Sequence, residues 1–187
     1  MWYVVQVMTG RETELASRLK EQGISAFVPR ENRRIRSGGS WIQKEYILFS
    51  GYVFLDMAYN AENYYKVKNL PGVIRFLGDS RNPSRLSYLE AEWIRILTGR
   101  DGAPIEPTLV RIGEDGSLKA LDGVLVRLEN RVVKVDRRNR KATFEITICN
   151  ERKEVQLSIR LEEDLNTKDA DVAAPEDAAA QVLEEAT

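Results

Sequence analysis

The segment Leu48-Phe49-Ser50-Gly51-Tyr52-Val53-Phe54-Leu55 constrains the fold more than any other part of the chain. Alternate side chains of a strand point to opposite faces, so Tyr52 and Phe54 share one face while Val53 and Leu55 share the other. Both faces are apolar, and such a strand must be covered on both sides, by the chain's own helices or by a partner. From these residues alone, internal core is the favoured cover.

The flanking sequence supplies the rest of a layered domain. Trp2-Tyr3-Val4-Val5-Gln6-Val7 is aromatic and β-branched and predicts a first strand closed by Thr9-Gly10. Glu12 to Gln22 predicts a helix with Leu15 and Leu19 one turn apart, Thr9 as N-cap and Gly23 as stop. Ile24 to Val28 predicts a strand ended by Pro29. Arg33 to Arg36 and Trp41 to Leu48 predict hairpin arms around Ser37-Gly38-Gly39-Ser40, a tip that permits positive φ. Asn63 to Lys68 predicts a short helix and Val73 to Leu77 a strand. Ser87 to Thr98 predicts a helix with Leu89, Trp93, Ile96 and Leu97 inward. The order β-α-β-β-β-α-β-α suits an α+β domain, an antiparallel sheet with flanking helices, over residues 1–98.

Residues 99–108 concentrate chain breakers and predict a linker. Beyond it, Leu109 to Ile112, Ser117 to Leu121, Val132 to Val135, Ala142 to Ile148 and Val155 to Ile159 predict short strands at close spacing. So many strands in so short a stretch predict a small all-β barrel over residues 109–164, since closure removes exposed sheet edges. Residues 165–187 are rich in Ala, Asp and Glu without an aromatic, and predict a disordered acidic tail in which Ala178 to Leu183 could form a fraying helix.

Composition narrows the chemistry. The chain has no histidine, which removes the commonest general base, the commonest metal ligand and every His-dependent triad. Its single cysteine, Cys149, can form neither an internal disulfide nor a structural zinc site, and is expected to fill a buried position. The apolar start lacks a basic leader and is shorter than a signal segment, and no run approaches the ~20 apolar residues of a membrane span. The expectation is a soluble cytoplasmic protein, without cofactor or metal and not an enzyme.

The formal net charge of −1 hides an uneven distribution. Residues 1–117 carry 16 Lys+Arg against 14 Asp+Glu, residues 118–160 carry 11 against 6, and residues 161–187 carry 1 against 9. The middle module is thus at +5 and the end at −8, and local field governs attraction to phosphates. Within the basic module, Asp136-Arg137-Arg138-Asn139-Arg140-Lys141 sets four cations on a tight turn, with Lys134 and Arg131 just upstream. Such a tip can straddle a phosphate backbone, each neutralised phosphate adding affinity by counterion release; the plain alternative is a solvated turn. Arg33, Arg34, Arg36 and Lys44 on the hairpin arms read equally as a nucleic-acid contact or a solvated face. Glu162-Glu163-Asp164 reads as solvated charge opening the tail.

Three stretches carry a family resemblance: Trp2 to Val7 with Thr9-Gly10-Arg11-Glu12, Leu48 to Phe54, and Gly72-Val73-Ile74-Arg75-Phe76-Leu77-Gly78. Together they resemble the successive signatures of the amino-terminal domain of NusG transcription elongation factors, and the basic module resembles the KOW domain that follows it in that family. Leu128 to Arg140 is most similar to the KOW domain of the specialised antiterminator paralog LoaP. Two departures are Ser50 where the family usually has proline, and Gly123-Val124-Leu125 where Gly-Pro-Leu is usual.

The resemblance implies a monomer whose amino-terminal domain docks on the clamp helices of the largest RNA polymerase subunit and reaches the opposite lobe, with non-template DNA as a further contact. Opposing clamp opening would shift the population toward elongation. It implies a clamp-facing role for Gln6, Phe49, Tyr52 and Phe54, which reverses the core reading of that strand face, and an opposite-lobe role for Tyr64 and Tyr65. It also implies that Arg131, Lys134, Arg137, Arg138, Arg140 and Lys141 grip a hairpin in the nascent RNA, suppressing pausing and termination. Two rivals stand beside it: a general NusG factor whose KOW domain contacts the ribosome or a termination factor, and a ribosome- or RNA-associated KOW protein without polymerase binding.

Overall fold

A computed structural model of the chain describes residues 1–37, 40–78, 82–99, 102–128, 131–149 and 151–165. The glycines at the tip of the first hairpin and everything from residue 166 onward, including the expected acidic tail and its fraying helix, lie outside the described residues.

The first half runs β1 (Trp2–Val7), α1 (Glu12–Glu21), β2 (Ser25–Phe27), β3 (Arg30–Ser37), β4 (Ser40–Ile47), β5 (Tyr52–Asp56), α2 (Ala61–Lys68), β6 (Val73–Phe76) and α3 (Tyr88–Thr98). It has one strand more than the predicted order β-α-β-β-β-α-β-α, four strands standing between α1 and α2. Strands β2-β5-β1-β6 form an antiparallel sheet in which Val4 faces Phe54 and Gln6 faces Tyr52, while β3 and β4 pair with each other as a separate hairpin.

The doubly apolar strand is covered on both faces. On one side Val53 and Leu55 join Tyr3, Val5 and Val7 beneath Leu15, Leu19 and Val67 of α1 and α2. On the other, Phe54 joins Trp2 and Val4 beneath Ile94 and Leu97 of α3, in a cluster that continues into the second half of the chain. Helix α3 starts on a capping box in which the Glu90 backbone N–H donates to Ser87 and the Ser87 N–H donates to the Glu90 carboxylate (2.6 Å). Leu89, expected inward, is 58% exposed, because the face toward the core is set by Ala91, Ile94 and Leu97. Thr9 does not cap α1 either; no side chain caps its Arg11 N-cap position, and the Glu12 carboxylate instead accepts from the Gly10 N–H (2.8 Å).

The second half runs β7 (Thr108–Ile112), β8 (Leu118–Ala120), a 3-10 turn at Val124–Arg127, β9 (Val132–Asp136), β10 (Lys141–Ile148) and β11 (Glu151–Leu161), then a 3-10 turn at Glu162–Leu165. The closed barrel expected here is instead a five-stranded sheet, order β8-β7-β11-β10-β9, curled into a half-barrel. Among the described residues its edges β8 and β9 are not paired with each other. β8 has three residues and β9 five, and Leu125 and Leu128, in the segment between them, are fully buried in the core cluster. β11 alternates cleanly, with Val155, Leu157, Ile159 and Leu161 buried. Cys149, expected to fill a buried position, sits only half-buried, in the turn after β10 at φ +50°.

The two halves touch. Ile105, within the 99–108 stretch, is buried and exchanges backbone hydrogen bonds with β3, donating to Arg30 (2.8 Å) and accepting from Asn32 (2.9 Å). Phe144, Ile146 and Leu157 of the second sheet share one buried cluster with Phe49, Phe54 and Ile94. Among the described residues no helix is long and apolar enough to cross a membrane.

Candidate functional site

Three of the four residues with an expected clamp-facing role cluster tightly, and the fourth lies beside them. Gly51 adopts φ +82°, a left-handed conformation natural to glycine, and this turns the chain from Phe49 into β5. Its N–H donates to Glu12 Oε1 (2.6 Å) and its carbonyl accepts from Val7 N (2.8 Å), so α1 and β1 together fix where Tyr52 begins. Phe49 packs edge-on to Phe54 with ring centroids 5.3 Å apart, and Phe54 is 1% exposed. Tyr52 is half-buried, and Gln6 lies opposite it across β1 and β5, accepting from Arg75 Nε (3.0 Å). Tyr64 and Tyr65 are elsewhere, on α2 beyond the other face of the sheet. Tyr64 stacks on Phe76 at 5.3 Å, and Tyr65 is 56% exposed and edge-on to Tyr64.

The Gln6–Tyr52 face is covered. The Lys153 ammonium lies 5.9 Å from the Tyr52 ring centroid, and the Arg131 guanidinium 4.7 Å from that of Trp93 on α3. Cys149 packs against the same cluster, and its thiol is pushed up to about 11 by burial first, then by the Glu90 and Glu151 carboxylates. Lys153 pairs with Glu151 (2.7 Å), which lifts the ammonium and lowers the carboxylate from their ordinary values.

The six cations expected on RNA do not form one patch. Arg137, Arg138 and Arg140 lie on the turn between β9 and β10, and Lys141 follows it directly. Asp136 organises this turn, accepting from the Asn139 N–H (2.9 Å) and side-chain amide (2.8 Å), bonds that hold its carboxyl below the usual range. Arg140 takes φ +52° and its carbonyl accepts from Ile159 N (2.9 Å), which ties the tip to β11. Arg137 Nη2 donates to the Gly113 carbonyl (3.2 Å), while Arg138 and Lys134 point into solvent. Arg131 stands at the opposite end of β9, about 20 Å from Arg137 at the strand's rise of ~3.3 Å per residue. Of the hairpin cations, Arg33 is ion-paired with Glu31 and stacked 4.5 Å from the Tyr46 ring, which favours a structural role for it. Glu162 pairs with Arg111 (2.5 Å), so that acidic run is anchored at its start. Among the described residues no group of three or more His, Cys, Asp or Glu is placed to hold a metal.

The model of the family described as transcription termination factor NusG matches residues 1–95, which take in β1, the Gly51 turn, β5 and most of α3. The chain belongs to the NusG family. It is 26% identical over 144 residues to the transcription termination/antitermination protein NusG of Streptococcus pyogenes, covering 72% of this chain and 80% of that protein. It is 28% identical over 167 residues to the protein of the same name from Vibrio vulnificus, covering 83% and 91%. A structure described as domain interaction in Thermotoga maritima NusG shares the fold, with a TM-score of 0.53, 22% identity, and coverage of 84% of this chain and 93% of that one.

Two carboxylates that matter to this NusG-family architecture were not singled out in the sequence. Glu12, 1% exposed, braces both the Gly10 and Gly51 turns. Glu31 is equally buried; it pairs with Arg33 on its own strand and accepts from the Ser158 N–H of β11 (2.9 Å). A glutamate set between Arg30 and Arg33 is the one sequence hint of the second; Glu12 stands in the Thr9-Gly10-Arg11-Glu12 stretch that carries the family resemblance, but its residue type alone reads as an ordinary first-turn acid.

Proposed function

We propose that this chain is a transcription elongation and processive antitermination factor of the LoaP type. Its amino-terminal domain, residues 1–98, binds the clamp helices of RNA polymerase through Gln6, Phe49, Tyr52 and Phe54, and reaches the opposite lobe with Tyr64 and Tyr65. Its KOW domain, residues 109–164, holds a nascent RNA hairpin through the Arg137–Lys141 turn with Lys134 and Arg131. One observation carries the reading: the family-matched aromatic face and a solvent-facing cationic turn occur in a single chain, on separate elements, so one molecule can hold two partners. An A-form stem is met through phosphates and 2′-hydroxyls, to which a fork of arginines is suited. Because the aromatic face is covered by the second domain in the structure, polymerase engagement requires that domain to move aside.

Run-off transcription across a terminator, with and without the upstream leader RNA, tests this. Read-through that depends on the leader is the expected result; leader-independent behaviour would remove the specialised role. The rival general factor draws support from Val126 and Val133, which are 53% and 58% exposed and give the second domain apolar contact points for a protein. Capture of a ribosomal protein without RNA affinity would establish it instead.

A further inference from the structure

We propose that the acidic segment 166–187 folds back onto the cationic β9–β10 turn of its own chain and competes there with RNA, a polyanionic decoy that an RNA must displace before it is held. The inference rests on the RNA-binding reading of that turn and adds its regulation.

The register of the second sheet brings the origin of the segment to the turn. β10 leaves the turn at Lys141, and Ser158 of the antiparallel β11 stands opposite Lys141. The residues after Ser158 therefore run past the end of β10 on the side where the turn lies. There the Ile159 N–H donates to the Arg140 carbonyl (2.9 Å). Arg137 of the turn lines one cavity together with Leu161, Glu162 and Glu163. The 3-10 turn Glu162–Leu165 comes next, and residue 166 follows it directly. The segment thus begins beside the cations rather than across the sheet from them.

Charge and length then favour contact. Residues 166–187 hold one lysine, Lys168, against the six acids Asp169, Asp171, Glu176, Asp177, Glu184 and Glu185, a net of −5. Across from them, Lys134, Arg137 and Arg138 are exposed. The acid within the turn, Asp136, is engaged by Asn139, and Glu162 at the root is engaged by Arg111. At the disorder its composition predicts, a segment of 22 residues spans about 25 Å root mean square, ample for a turn that lies beside its root. Tethering sets the local concentration of these carboxylates in the millimolar range, so contacts too weak to hold a free peptide still occupy the turn. Such contacts lie between exposed charges, and salt screens them.

The experiment compares the full chain with a full-length variant whose six acids become amides: Asp169→Asn, Asp171→Asn, Glu176→Gln, Asp177→Asn, Glu184→Gln and Glu185→Gln. Binding of a generic stem–loop RNA is followed by fluorescence anisotropy over a range of salt. The amide variant is expected to bind about fivefold more tightly at low salt, the scale of a few exposed ion pairs, and to lose affinity more steeply as salt rises. The two chains are expected to converge at high salt. Contact is read separately, without RNA, from backbone amide NMR shifts. Those of Arg138 and Asn139 are expected to differ between the two chains at low salt and to coincide at high salt, while those of β5 stay unchanged.

Equal RNA affinity of the two chains at low salt overturns the inference alone. So does tighter binding by the amide variant without a shift at Arg138 and Asn139, which would assign the effect to net charge rather than to contact. RNA binding by neither chain removes the reading beneath the inference and the inference together.

Discussion

Single residues set the geometry here, and Glu12 shows how. It lies in the first turn of α1, where a carboxylate is favoured by the helix dipole, yet its oxygens reach out of the helix to two backbone N–H groups. One belongs to Gly51, the buried pivot that begins the Tyr52 strand. Glu12→Ala leaves that donor unsatisfied and is expected to cost about 1–3 kcal/mol of stability. A urea midpoint that stays at the wild-type value would mean that water replaces the carboxylate without penalty. Glu12→Gln keeps one acceptor and should fall between. Cys149 carries the complementary lesson: a lone thiol in an apolar run reads as strand filler, whereas the chain turns there and leaves it half-buried beside two carboxylates.

Elements divide into those whose pattern is local and those whose pattern is not. β1, β5 and α2 fall where periodicity and caps put them, within two residues, because their signals are read from adjacent side chains. The rotation of α3 is not local: Leu89 and Ile94 are both apolar, and only the position of the sheet decides which one is buried. The β9–β10 turn combines both. Its cations are plain in sequence, but their spread along β9, with Arg131 at one end and Arg137 at the other, follows from the pairing of β9 with β10. The tip is held by Asp136 and Asn139, so Arg137 and Arg138 can be replaced without dismantling it. Replacing both by glutamine is expected to reduce the slope of log affinity for structured RNA against log salt by about one to two units, roughly one for each lost phosphate contact. A change smaller than one phosphate's worth would assign the RNA contact elsewhere.

At the scale of the whole molecule, the arrangement of the two halves governs which surface is available. Glu31 joins them, accepting from Ser158 on β11 while pairing with Arg33 on its own strand. Glu31→Ala leaves the half-buried Ser158 N–H without this acceptor in the docked state but not in the undocked one. If polymerase binds only the undocked chain, its apparent affinity scales with the undocked fraction. The variant is then expected to bind polymerase about fivefold or more tightly, the equivalent of one unsatisfied donor. Weaker binding by a variant that remains folded by circular dichroism would show that the docked arrangement itself is the binding form.

The amino-acid sequence by itself determined the α+β character of the first half, the family, the basic module and the doubly covered strand, because each is written in the types and spacing of neighbouring residues. Tertiary structure alone decided what covers that strand, that the second sheet stays open at β8 and β9, and that Arg131 meets Trp93 rather than its fellow cations. Those outcomes depend on contacts between segments far apart in the chain. Burial, pairing and stacking there are set by the relative position of elements, a quantity that no local pattern encodes.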